Sequence, residues 1–187
     1  MAQANQIDLA GGNVGGPNQH GGISGGGRLG WFYPWKPHYD LELGVSGQTG
    51  VWDNSSRKQW SAAVLDASLH LGPAFELHGE YINTWEQSDD FGTIKPHGWW
   101  VQAGYKLNGL NLDLPIINNI ELVGRYDRFS SAPPFTAADG VTMITGNQQI
   151  TAGFVYYFSN TLLFEGDYLI NDSATPNELV FQLSYGF

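Results

Sequence analysis

The residues richest in chemistry sit in two neighbouring stretches, with Asp66, Ser68 and His70 alternating along one and Glu76, His78 and Glu80 along the next. A hydroxyl, an imidazole and a carboxylate within reach of one another are the parts of a nucleophilic hydrolase, in which the ring takes the hydroxyl proton. Two imidazoles beside carboxylates are also donors for an adventitious metal ion. A third use needs no reaction: alternating polar groups opposite alternating polar groups form a ladder of hydrogen bonds on a wetted wall. The choice depends on the elements that carry these side chains and on what the opposite faces of those elements touch.

Those elements read as β-strands. Tyr39, Leu41, Leu43 and Val45 alternate with Asp40, Glu42 and Ser46, a period of two that gives one dry and one wet face. The pattern returns at Ala63, Leu65, Ala67, Leu69 and Leu71, and at Phe75, Leu77 and Tyr81. Trp99, Val101, Ala103 and Tyr105 oppose Gln102 and Lys106, while Ile120, Leu122 and Tyr126 oppose Glu121, Arg125 and Asp127. Ile150, Ala152, Phe154 and Tyr156 continue it, Leu162, Phe164 and Tyr168 oppose Glu165 and Asp167, and Leu179, Phe181, Leu183, Tyr185 and Phe187 end the chain. A glycine-rich run over 23–33 and a leading piece near 6–9 bring the count to about ten strands, with no convincing helical period anywhere.

Opposed residues on paired strands must share a face, so each proposed turn can be checked against the pattern. A three-residue turn at 72–74 pairs Leu71 with Phe75 and Leu69 with Leu77 on one face. On the other it pairs His70 with Glu76, Ser68 with His78 and Asp66 with Glu80. A three-residue turn at 159–161 pairs Tyr156 with Phe164, and Phe154 with Gly166, where a ring covers a bare glycine. Both ladders are consistent.

Composition narrows the surroundings. The 187 residues include only 14% charged types against 42% hydrophobic ones, little charge for solvating an exterior but too many aromatics for a disordered chain. A net charge of -10 with eight Lys and Arg argues against nucleic acid. The absence of cysteine removes thiolate chemistry and cysteine-held metals. Gly25, Gly27 and Gly30 match a dinucleotide fingerprint in form only, because Trp31-Phe32-Tyr33-Pro34 follows where a helix is needed.

Strands of about 10 to 12 residues suit a tilted crossing of a bilayer. Short connections (34–38, 72–74, 159–160) alternate with long polar ones (51–59, 87–96, 130–147), as in outer-membrane barrels; the connection over 108–119 is longer than its place on the short-turn side predicts. Aromatic clusters at 31–35, 99–100, 156–158 and 185–187 read as girdles at the two membrane boundaries. A charged strand face then meets water in a lumen instead of being buried unpaired. The expectation is a single domain over 1–187 or the C-terminal segment of a larger barrel, in either case an all-β, antiparallel, up-and-down transmembrane β-barrel fold, with residues 1–22 as a glycine-rich lead-in.

The terminal Phe187, with Tyr185, Leu183, Phe181 and Leu179 alternating back from it, resembles the C-terminal signal recognised by bacterial barrel-assembly machinery. The blocks at 26–30, 41–47, 98–105, 120–127 and 177–187 are similar to the C-terminal half of bacterial outer-membrane porins of the phosphate-selective (O and P) type. That resemblance implies a sixteen-stranded, generally trimeric barrel in the outer membrane, passing small solutes without a cofactor. The chain departs from it in carrying about ten strands. Its inward set is also acidic: Asp40, Glu42, Asp66, Glu76, Glu80, Glu121, Asp127, Glu165 and Asp167 against Arg28, Lys106 and Arg125, with His70 and His78 among them. Carboxylate rings favour cations, so phosphate selectivity is dropped and a cation-preferring diffusion channel expected. The same carboxylates have a structural use, pairing with Arg28, Arg125 and Lys106 to stiffen the wall. The alternatives are a structural or adhesive barrel acting through a loop at 130–147 and, with less support, a hydrolase built on Ser68 and His78. No metal and no catalytic residue is assigned.

Overall fold

The computed structural model describes residues 24–53, 58–88, 92–112, 114–136, 143–172 and 176–186. The leading piece at 6–9, the lead-in at 1–22 and Phe187 lie outside them. The chain forms one antiparallel sheet. Its strands are β1 (Ser24–Lys36), β2 (Tyr39–Asp53), β3 (Lys58–Leu71), β4 (Phe75–Ser88), β5 (Gly92–Ile94), β6 (His97–Lys106), β7 (Ile120–Thr136), β8 (Met143–Tyr157), β9 (Leu162–Asn171) and β10 (Glu178–Tyr185). Nine of them follow one another as neighbours in chain order, an up-and-down meander, and the short β5 folds back onto β4. Among the described residues the tenth strand is β5, inside the 87–96 connection.

Turn chemistry fixes the registers. Gly72, at φ 77°, opens the three-residue turn between β3 and β4, a left-handed conformation that glycine adopts without steric cost. The resulting ladder pairs Leu71 with Phe75, His70 with Glu76, Ser68 with His78 and Asp66 with Glu80. The turn between β8 and β9 pairs Tyr156 with Phe164 and Phe154 with Gly166. Both registers match the sequence-based expectation residue for residue. The first connection is tighter than 34–38, since β1 runs to Lys36 through a bulge after Pro34 and β2 resumes at Tyr39. Proline is tolerated there because it sits at the bulge, where the ladder is already interrupted.

Two connections differ from expectation in extent. Strand β7 continues to Thr136 and β8 begins at Met143, so much of the expected 130–147 loop is a projecting hairpin, with residues 137–142 outside the described ones. Polar composition and Pro133-Pro134 mask it in the sequence; a register break between Ser130 and Phe135 accommodates the prolines. On the short-turn side, a 3-10 turn (Leu107–Leu110) and a single-turn helix, α1 (Pro115–Asn118), fill the long connection. No helix among the described residues is long and apolar enough to cross a membrane.

Nine alternating strands leave β1 and β10 running in the same direction, and among the described residues each pairs on one side only. The cross-section is inverted relative to a soluble domain. Among the described residues no hydrophobic side chain is buried, while the charged Glu121 is only 4% exposed. Leu29, Trp31, Leu43, Val45, Leu65, Val101, Leu122, Ile150, Leu179, Phe181 and Leu183 all lie uncovered on one face.

Candidate functional site

The other face carries the candidate site. Following the ladders from strand to strand, Asp40 pairs with His70 and His70 with Glu76. The next row runs Glu42, Ser68, His78, Gln102, Arg125, Thr151. A third runs Asp66, Glu80, Trp100, Asp127. Lys106 pairs with Glu121, and Val155 links Glu121 to Glu165. Asp167 sits beside Gly153. All thirteen expected lining residues thus project from one face of the sheet, because the register breaks in the ladders fall outside the stretches that carry them.

The arginines are committed to neighbours. Arg28 on β1 reaches diagonally across β2, with Nη2 2.9 Å from Glu42 Oε1, and with Nε and Nη2 each 2.9 Å from an oxygen of Asp66 on β3. Gly44 makes this possible: a Cβ there would collide with the Asp66 carboxylate and the Arg28 guanidinium. Arg125 donates from Nε to both oxygens of Asp127 at 2.9 Å and lies over the Trp100 ring, 4.5 Å from its centroid. The wall-stiffening use of these side chains is therefore present for both arginines. Tyr157 donates its hydroxyl to Glu121 at 2.6 Å, and Gly104 leaves the space into which Glu121 and Glu76 both extend. Glu80, Glu165 and Asp167 have no cationic partner among the described residues.

Near the β3–β4 turn the histidines gather. His70 Nδ1 lies 2.7 Å from Asp40 Oδ1, and since a carboxylate only accepts, the ring donates there. Glu76 stands between the two rings, 3.9 Å from His70 Nε2 and 3.6 Å from His78 Nε2. Ser68 is the cross-strand neighbour of His78, yet no hydrogen bond joins its hydroxyl to that ring, so the nucleophile–base contact is not formed. A hollow of about 260 Å³ opens between Arg28, Glu42, Asp66, Ser68, His78 and Trp100.

The aromatic runs divide between faces. Trp31, Tyr33 and Trp35 stack in sequence on the apolar side and Tyr39 tilts against Trp35, with centroids 5.5 to 6.3 Å apart, and Lys36 Nζ caps Tyr39 at 3.6 Å. Trp99 packs on Tyr126 at 5.1 Å on that same side. Phe32, Trp100 and Tyr157, read as girdle members from their neighbours, turn to the polar face. Period two demands this of any consecutive pair. The diagonal Arg28 bridge and the glycine hollows beneath it escape sequence reasoning, since they depend on strand twist and not on residue order. No family model matches the chain, and no curated protein matches it.

Proposed function

We propose that this sheet is the wall of a β-barrel in a bacterial outer membrane and acts as a porin-like channel for passive diffusion of small solutes, with a preference for cations. One observation carries the proposal: among the described residues an apolar face with no buried hydrophobic side chain backs onto a face whose strands hold eleven carboxylates, Glu86 and Glu178 with the nine expected ones, against the four permanent cations Arg28, Lys58, Lys106 and Arg125. In water such a sheet would expose its greasiest surface, whereas in a bilayer that surface meets lipid and the charged one meets a wet lumen. The stacked rings of β1 and the Trp99–Tyr126 pair suit the two membrane boundaries.

Closure follows from strand parity. An all-antiparallel barrel needs an even number of strands, so the nine that follow one another here would close only with an odd number more between β1 and β10. The mechanism is size filtering plus an acidic field, with no covalent step. The test is single-channel current from the refolded chain in a planar bilayer under a KCl gradient. Stable steps with a cation-selective reversal potential are expected. Anion selectivity would overturn the acidic-wall argument, and the absence of any steps from correctly inserted protein would overturn the channel.

A further inference from the structure

We infer that His70, His78 and Glu76 form a binding site for one divalent transition-metal ion, with Asp40 orienting its first ligand. The donor atoms of these three side chains lie within 4.8 Å of one another. Tetrahedral zinc, with bonds of about 2.0–2.1 Å, holds its donors about 3.3 Å apart, so gaps of 3.6 and 3.9 Å close with small side-chain rotations. Each ligand comes from a rigid place. His70 is one residue before the last of β3, Glu76 and His78 are two apart on β4, and the Gly72-Pro73-Ala74 turn locks the two strands in register.

The arrangement around the ligands argues for a metal over a mere ladder of polar groups. Asp40 accepts from His70 Nδ1 at 2.7 Å, which places a proton on Nδ1 and leaves Nε2, 3.9 Å from Glu76, as the nitrogen that would meet a metal ion. A carboxylate holding the far nitrogen of a ligating imidazole is the usual outer partner in zinc sites, where it sets the tautomer and raises ligand basicity. The two rings meet edge to face at 5.7 Å, so they approach the shared centre from different directions and do not stack. Two imidazoles and one carboxylate suit Zn²⁺, Ni²⁺ or Cu²⁺ better than Mg²⁺ or Ca²⁺, which prefer all-oxygen shells. Three protein ligands leave a fourth position for water on the polar side of the sheet.

The site rests on the polar face being wetted, as the proposed channel requires, but not on conduction, so it can be read in detergent without a bilayer. The experiment titrates the refolded, chelator-stripped full chain with Co²⁺, followed by its visible absorption, and then competes the Co²⁺ away with Zn²⁺. One equivalent is expected to bind with a tetrahedral-type spectrum that Zn²⁺ abolishes. His70→Gln and His78→Gln should each remove that spectrum, and Asp40→Asn should weaken binding about 10- to 100-fold, the loss usual when an outer partner is removed. His97→Gln, at the other end of β6 on the apolar face, should change nothing. Far-UV circular dichroism confirms that each variant is folded. Absence of the one-equivalent signal in folded wild-type protein, or a signal that survives both His70→Gln and His78→Gln, would overturn the site while leaving the channel untouched.

Discussion

Glu80 gives the cleanest handle on the acidic field, because it projects from the polar face between Asp66 and Trp100 and has no cationic partner among the described residues. Glu80→Gln keeps the shape and removes one negative charge. If the proposed barrel closes with ten wall strands, about 4.8 Å apart and tilted about 40°, its backbone radius is about 10 Å, which puts an inward carboxylate about 5 Å from the axis. In water, Coulomb attraction at that distance is about 0.8 kcal/mol, and screening over a Debye length of about 8 Å reduces it to about 0.4 kcal/mol. That corresponds to about a twofold change in cation occupancy and an equal, opposite change for anions. The cation-to-anion permeability ratio should therefore fall about fourfold at 0.15 M salt. At 1 M, where the Debye length is about 3 Å, the same substitution should change the ratio less than about twofold. The assay is the reversal potential of single channels in a KCl gradient, wild type against Glu80→Gln, at both ionic strengths. An unchanged ratio at 0.15 M, or one that changes equally at both salts, would refute the claim that the wall charges act on ions through a water-filled lumen.

Three further outcomes follow from particular contacts. Val101→Arg, on the uncovered apolar face, should cost about 2–4 kcal/mol in the urea-unfolding equilibrium of protein refolded into lipid vesicles, while Gln102→Arg, one residue along on the polar face, should cost little. Gly44→Val places a side chain where the Arg28–Asp66 pair lies, and should lower stability in the same assay by about 1–3 kcal/mol while freeing Arg28. Phe154→Ala uncovers Gly166, over which the Phe154 and Phe181 rings sit, and should cost about 0.5–1.5 kcal/mol.

Much of this molecule is legible in its sequence because period two is a strict rule. Once the turn at 72–74 is given three residues, the partners of Asp66, Ser68 and His70 have no freedom, and the same holds for Phe154 and Gly166. What is not legible depends on more than alternation. Strand β5 is too short to show a period. The projecting ends of β7 and β8 hide behind prolines and polar residues that elsewhere mark loops. Consecutive aromatics look alike in a sequence, yet Trp99 and Trp100 must face opposite ways, and only pairing says which packs on Tyr126 and which lies under Arg125. The histidine cluster needs Asp40, from a third strand, to set a ring nitrogen, and sequence spacing alone does not reveal that contact.

The central claim, a sheet with lipid on one face and water on the other, is tested most directly by thiol accessibility. The chain contains no cysteine, so single cysteines report without background. Substituting Ala67, Val101, Ala103 and Ala152 on the apolar face, and Ser68, Gln102 and Thr151 on the polar face, gives pairs one residue apart. In protein folded into vesicles, a water-soluble maleimide should label Ser68→Cys, Gln102→Cys and Thr151→Cys and spare the other four. Equal labelling of both sets, or labelling of the apolar set alone, would contradict the account.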